Sequence, residues 1–233
     1  MKIPLFVINL KKDVERKKYM IDQFRQFNIL NYIFFDGVEG SRYKEYKFNI
    51  EIMKNWSDPT FKRKINYGEI GCFLSHYLIW SKVVSDNIKA AIILEDDNEL
   101  HDNFMVSMQY ILELDFRLYD IFYLSRYKFY PNAVEINITN DIVIPSYCYN
   151  ANAYIITNAG AKKLLNTNIL KNLIPVDEYL PIMYNCEYPN KSYSDVFANY
   201  DKLTALALFE DITTQLPRNE CQSNIFDSSE ITC

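Results

Sequence analysis

The residues best suited to chemistry stand together in Ala90-Ala91-Ile92-Ile93-Leu94-Glu95-Asp96-Asp97. An apolar, strand-like run delivers three carboxylates at its C-terminal end, where α/β sheets collect their ligands. Alternation along an extended chain predicts Glu95 and Asp97 on one side and Asp96 on the other. Carboxylates aimed at one point repel unless a cation joins them. Mn²⁺ or Mg²⁺ takes oxygen ligands and can bridge to a diphosphate, neutralising a departing nucleoside diphosphate. The plainer alternative is a solvated loop in which Asp96 or Asp97 caps the next helix. Placement directly after the apolar run favours a metal or donor site. By itself the triplet does not separate glycosyl transfer from phosphate-ester hydrolysis or nucleotidyl transfer.

The elements that must position this triplet are readable from hydrophobic spacing. The run Ile3–Leu10 predicts a buried strand, and the charged stretch Asp13–Phe27 predicts a helix burying Val14, Met20, Ile21, Phe24 and Phe27, with Asp13 as N-cap. A second strand over Asn31–Phe35 ends in the turn pair Asp36-Gly37, so the chain opens β-α-β, as in layers built on parallel strands. Residues 40–66 read as a loop or lid with one short helix around Ile50–Trp56. Gly68–Val84 predicts a largely buried helix carrying the polar residues Glu69, Ser75 and His76, with Gly68 and Gly71 allowing close backbone approach. Further helices are expected over Phe104–Leu114 and Ala159–Leu165. Ile121–Leu124 reads as a strand, and Ile136–Ile144 and Cys148–Thr157 as extended. Short helix and turn are expected around Pro175 and Pro181, and no strong period in the last thirty residues.

Composition narrows the class. The chain of 233 residues is 49% hydrophobic and reads as one domain, 1–233, able to bury a sizeable core. Only 5 glycines are present, and no glycine-rich phosphate loop of the P-loop or dinucleotide-binding kind occurs. A net charge of −5 excludes bulk nucleic-acid binding. Charge is uneven, with +6 over residues 1–64 and −11 over the rest. The basic segment Lys11, Lys12, Arg16, Lys17, Lys18 suits a diphosphate or an anionic membrane surface, or is simply a solvated helix face. The 5 cysteines have no C-x-x-C spacing, so neither a disulfide framework nor a zinc site is indicated. No secretory leader and no apolar stretch of ~20 residues is read, so a cytoplasmic protein is expected, with peripheral contact at the inner membrane face as an option.

A longer set of residues resembles glycosyltransferase family 25, the bacterial lipooligosaccharide glycosyltransferases that share motifs with collagen galactosyltransferases. It comprises Val7-Ile8-Asn9-Leu10 with the basic helix, Phe35-Asp36-Gly37-Val38, and Gly68-Glu69-Ile70-Gly71-Cys72-Phe73-Leu74-Ser75-His76 with Trp80. Leu94-Glu95-Asp96-Asp97, Ala153-Tyr154-Ile155-Ile156, Gly160-Ala161-Lys162-Lys163-Leu164-Leu165 and Pro175-Val176-Asp177-Glu178-Tyr179-Leu180 complete it. The resemblance implies an α/β, GT-A-like nucleotide-sugar-binding fold with a mostly parallel central sheet flanked by helices. It further implies a UDP-sugar donor, a divalent Mn²⁺ or Mg²⁺, inversion at the anomeric carbon, and commonly galactose passed to a growing lipooligosaccharide.

Within that frame Asp97 is the expected metal ligand, with Glu95 and Asp96 on metal, ribose or donor sugar. Asn9, Asp36 and Gly37 are expected to edge the nucleotide pocket, unless Asp36-Gly37 is an ordinary turn. Gly68, Glu69, Ser75 and His76 are expected at the donor or supporting the metal, unless His76 is a satisfied core histidine. Asp177 and Glu178 are the candidate bases, Asp177 alternatively capping a helix. Arg16, Lys62 and Arg63 are candidate anion contacts. Asn98 stands where the family pattern has an apolar residue, and the tail after Cys186 matches only through Gln222-Ser223-Asn224-Ile225. A catalytically degenerate binding module and a metal-dependent phosphohydrolase are the competing readings.

Overall fold

Alternating burial along the central strands decides the architecture. In the computed structural model, which describes residues 3–58, 62–128, 133–184 and 191–217, twelve strands occur. They are β1 (Leu5–Asn9), β2 (Ile33–Asp36), β3 (Ala90–Glu95), β4 (Asn98–Leu100), β5 (Ile121–Tyr123) and β6 (Tyr127–Lys128), then β7 (Ile136–Asn137), β8 (Ile142–Ile144), β9 (Cys148–Tyr149), β10 (Ala153–Thr157), β11 (Ala205–Leu208) and β12 (Thr213–Gln215). The α-helices are α1 (Val14–Gln26), α2 (Tyr67–Ser85), α3 (Phe104–Glu113), α4 (Asn158–Leu165), α5 (Val176–Tyr184) and α6 (Lys191–Ser194).

An 8-stranded sheet runs in the order β2-β1-β3-β10-β5-β11-β8-β7. β2, β1 and β3 are mutually parallel, as the opening β-α-β pattern requires. Only β10 and β8 are reversed, so six of the eight strands point one way. This is the expected α/β sheet, mostly parallel and flanked by helices.

Each central strand sends alternate side chains to two cores, one on each face. Phe6, Ala91, Ile93, Tyr123 and Tyr154 join the core beneath α2, α4 and α5. Leu5, Val7, Ile92, Leu94 and Phe122 join the core with Met20 and Phe24 of α1 and Phe104 and Met108 of α3. The same alternation hands Glu95 to the α2 face and Asp96 to the α1 face.

Helix α2 starts at a capping box. The Asn66 side chain accepts from the Glu69 N–H, and the Glu69 carboxylate accepts from the Asn66 N–H. A 3₁₀ segment, Gly40–Tyr46, crosses this end with almost no space between backbones. A Cβ on Gly40 would lie 1.6 Å from the Tyr67 carbonyl oxygen, and one on Gly71 2.4 Å from that of Val38. The close approach read into Gly71 is thus to a packed segment of chain, while Gly68 meets no such neighbour and lines the cleft.

Several expectations change. The short helix lies at Gly40–Tyr46, not at Ile50–Trp56. There the backbone pairs instead with the segment ending at Leu173: Met53 N–H donates to Leu173 O and Leu173 N–H to Glu51 O. Buried Met53 and Trp56 hold that stretch down, so it is pinned chain and not a free lid. Asp13 sits at the N-cap of α1 but makes no side-chain cap bond. The extended segment 148–157 breaks at Asn150, whose φ is 76°. Part of the final thirty residues is regular after all: Ala205–Leu208 is a core strand, and Thr213–Gln215 pairs with β4. Gln222-Ser223-Asn224-Ile225 lies outside the described residues.

Candidate active site

The C-terminal ends of β1 and β3 open onto a cleft of about 130 Å³ that is open to solvent. Its wall includes Asp13 and Arg16 of the α1 segment, Gly68, Cys72 and Ser75 of α2, and Glu95, Asp96 and Asp97. The strand pleat has distributed the triplet. Asp96, turned toward α1, accepts from Arg16 Nη1 at 2.8 Å and from Asn9 Nδ2 at 2.6 Å. Asn9 also donates to Asp13 O, which ties the end of β1 to the start of α1.

Glu95, turned toward α2, receives His76 Nε2 at 3.2 Å and Cys72 Sγ at 3.3 Å, both on Oε1. A chain of donors stands behind it. Trp80 Nε1 donates to the Tyr154 hydroxyl at 2.9 Å, and that hydroxyl lies 2.8 Å from His76 Nδ1. With Tyr154 donating to Nδ1 and Nε2–H donating to Glu95, every member is satisfied. Stacking of His76 on Tyr154, with centroids 5.6 Å apart, fixes the imidazole.

Asp97 leaves the pleat in the turn after β3, so the predicted Glu95/Asp97 pairing on one face becomes an approach across the cleft floor. One oxygen, Oδ2, accepts from Gln215 Nε2 at 3.1 Å and lies 3.8 Å from Arg16 Nη2. The other, Oδ1, is buried with no hydrogen-bond partner among the described residues. Asn98 locks this turn. Fully buried, it donates to the carbonyls of Glu95 and Asn152 and accepts from Asn152 and Thr213. The residue that departs from the family pattern is therefore a polar clasp joining β3, β10 and β12.

Electrostatics separates the three carboxylates. Burial pushes Asp97 up to about 7, reinforced by the charge of Glu95 and opposed by Arg16. Burial also raises Asp96, against Arg16 and Asn9. Burial would raise Glu95 as well, yet the hydrogen bonds from His76 and Cys72, with the Arg16 charge, outweigh it and hold Glu95 below its ordinary value. A buried carboxylate with an orphaned oxygen beside a second, ionised carboxylate is an arrangement a divalent cation satisfies. The chemistry of these carboxylates fits such an ion, which Asp97 and Glu95 would hold.

Asp177 opens α5 outside the residues that line the cleft, where Oδ1 accepts the Ala151 N–H at 2.8 Å and Oδ2 makes no hydrogen bond among the described residues. Burial raises its carboxyl to about 7, and the neighbouring Glu95 charge adds to the shift. Glu178, beside it in sequence, points elsewhere: it accepts from Trp56 Nε1 at 2.9 Å and is buried.

The remaining predicted residues divide clearly. Ser75 accepts from Val38 N–H and donates to Gly71 O, bracing the cleft wall. Glu69 is consumed by the capping box and a two-pronged pair with Arg63 at 2.8 Å. Asp36 is exposed and pairs with Lys11, while the Gly37 N–H donates to Asn9 O, so these two shape the β1–β2 edge outside the cleft lining. Of the candidate anion contacts, Arg16 is at the cleft, Arg63 faces Glu69 and Asp58, and Lys62 lies outside the cleft lining. Sequence reasoning missed Cys72 and Gln215 as partners of the acidic residues, and Trp80 behind the Tyr154 hydroxyl that holds His76. Only the i, i+4 spacings Cys72–His76 and His76–Trp80 on α2 hinted at two of them.

The family model for glycosyltransferase family 25 (LPS biosynthesis protein) matches residues 2–180. The chain belongs to glycosyltransferase family 25. A relative from Aedes aegypti named glycosyltransferase 25 family member is 34% identical over 84% of this chain and 33% of its own length. Procollagen galactosyltransferase 1-A of Xenopus laevis is 32% identical over 85% of this chain and 34% of its own. A mouse relative named inactive glycosyltransferase 25 family member 3 is 30% identical over 83% of this chain and 33% of its own. The chain spans about a third or less of the length of the curated relatives it matches.

Proposed function

We propose that this family 25 glycosyltransferase is an inverting, metal-assisted hexosyltransferase. It would move a sugar, galactose first among candidates, from a UDP-sugar to a lipooligosaccharide or related saccharide. The observation that carries this reading is the floor of the cleft: Asp97 Oδ1, without a hydrogen-bond partner among the described residues, near Glu95 at the strand ends where α/β sheets bind nucleotides. A divalent ion held by Asp97 and Glu95 would supply charge neutralisation for the diphosphate leaving group.

The chain's own groups account for the rest. Arg16 lies on the cleft wall, where its charge can orient an anionic donor. His76, held by Tyr154, aims Glu95 and keeps it ionised. Asp177 is the base: its bonded Oδ1 fixes the carboxylate, and Oδ2 is left to take the proton from the attacking acceptor hydroxyl. As the new bond from that oxygen to the anomeric carbon forms, the bond from carbon to the diphosphate oxygen breaks. A carboxyl raised to about 7 suits this task, because it is ionised near neutral pH yet basic enough to matter. Glu178 positions Trp56 and takes no part in proton transfer.

The test is product analysis. UDP-galactose and UDP-glucose are each offered with Mn²⁺ and a panel of saccharide acceptors, and products are read by mass and anomeric proton coupling. A hexose added with inverted configuration supports the proposal; retained configuration removes Asp177 as base. Donor binding without transfer or hydrolysis favours the second reading, a binding module, which the mouse relative's name also favours. Phosphate release from simple esters with no glycosylated product would favour a phosphohydrolase. Among the described residues no helix is long and apolar enough to cross a membrane, and contact with a lipid-linked acceptor would be peripheral.

A further inference from the structure

Cys72, His76 and Glu95 each offer one ligand atom, and the three atoms lie within 4.8 Å of one another. Cys72 and His76 are four apart on α2, the spacing that puts two ligands on one helix face, and Glu95 comes from the adjacent strand end. The set mixes sulfur, nitrogen and oxygen. Hard cations such as Mg²⁺ and Mn²⁺ favour all-oxygen sites, whereas thiolate and imidazole select zinc-class ions. Cys72 and Glu95 both line the cleft, so an ion has a route in and a position open for a fourth ligand. The imidazole is already braced, because the Tyr154 hydroxyl holds its other nitrogen and Trp80 in turn holds that hydroxyl.

We propose that Cys72, His76 and Glu95 form a second cation site, specific for thiophilic ions of the zinc class, that overlaps the donor site through Glu95. The absence of C-x-x-C spacing hid it from a sequence reading. In the empty site, the S–H of Cys72 and the Nε2–H of His76 both point at Glu95 Oε1. On binding, the S–H bond breaks, the proton passes to solvent, and a sulfur–metal bond replaces it. The Nε2 proton is exchanged for one on Nδ1, the Tyr154 hydroxyl hydrogen turns away so that its oxygen accepts a hydrogen bond from Nδ1–H, and Nε2 becomes a ligand. Glu95 turned to this ion is lost to the cation it would share with Asp97. Zinc-class ions should therefore inhibit donor binding while Mg²⁺ and Mn²⁺ support it. That second consequence rests on the function proposed above; the site itself does not.

The test uses Co²⁺ as a spectroscopic stand-in for Zn²⁺ on the whole chain. A thiolate-to-cobalt charge-transfer band should appear, saturate at one equivalent, and be bleached by Zn²⁺. The band should vanish in Cys72→Ser, and in His76→Gln affinity should fall by ~10–100-fold. No charge-transfer band in the wild type, or an unchanged band in Cys72→Ser, overturns the site. Should Cys72→Ser fail to fold, X-ray absorption on the zinc-loaded wild type decides. One sulfur at about 2.3 Å upholds the site, and an all-nitrogen-and-oxygen shell overturns it. Cobalt binding by a protein that binds no UDP-sugar would leave this site standing and remove the donor reading.

Discussion

Replacing Asp97 with Asn tests the cation argument through stability as well as activity. The Asp97 carboxyl rises from 3.8 to about 7, chiefly through burial and the Glu95 charge. At 1.36 kcal/mol per pKa unit, holding this group ionised destabilises the empty fold by up to about 4 kcal/mol. The sign follows from linkage. Below the unfolded pKa the carboxyl is protonated in both states and the penalty is absent. It grows as pH rises from about 4 to about 7 and is constant above that. Asn never ionises, so the stability of the variant minus that of the wild type should climb by about 2–4 kcal/mol between pH 4 and pH 8. Urea titrations of both proteins with a chelator present measure this, and each kcal/mol should move Tm by about 2–4 °C. Saturating Mn²⁺ should then stabilise the wild type, by about 2.7 kcal/mol at a hundredfold excess over Kd, and leave the variant unmoved. A stability difference that is flat from pH 4 to pH 8 would refute the reasoning that Asp97 is a strained, cation-seeking carboxylate.

Three further outcomes are expected. Asp177→Asn should lower kcat by ~10²–10⁴ with donor affinity retained; the wild-type rate should rise with pH through about 7, and the variant should lose that limb. His76→Gln removes the braced imidazole donor that keeps Glu95 ionised, so metal-dependent donor affinity should fall by ~10–100-fold while far-ultraviolet circular dichroism is unchanged; unaltered affinity would make His76 a core residue only. Gly40→Ala places a methyl 1.6 Å from the Tyr67 carbonyl, so the crossing of 3₁₀ segment and α2 must open, at about 1–3 kcal/mol by denaturant titration; a neutral change would mean the two backbones part freely.

Local signals were readable where one element carries both pattern and consequence. β3 is an apolar run whose alternation continues into Glu95 and Asp96, and that alone assigns one carboxylate to each face of the sheet. The Asn66–Glu69 capping box is equally local, yet inside a family motif Glu69 reads as a donor contact, and only the structure shows its carboxylate shared between the cap and Arg63. What stayed hidden depends on distant pairing. Arg16 looks like one more basic residue on a solvated helix until the sheet brings Asp96, 80 positions away, to 2.8 Å. Glu178 looks like a second candidate base until Trp56, 122 positions away, donates to its carboxylate. The reversal of β10 between β3 and β5 is set by packing across the whole sheet, and no periodicity announces it. Asn98 reads in the sequence only as a departure, because its four hydrogen bonds reach three separate stretches of chain. The strand Ala205–Leu208 was within reach: Leu203–Phe209 is a short, mostly apolar run, the signature of a fully buried strand.

Calorimetric titration of UDP, UDP-galactose and UDP-glucose, with and without Mn²⁺, tests the central claim most directly. The account predicts binding that appears only with the metal, favours one UDP-sugar, and disappears in Asp97→Asn. Equal heats with and without metal, or undiminished binding in that variant, would contradict it.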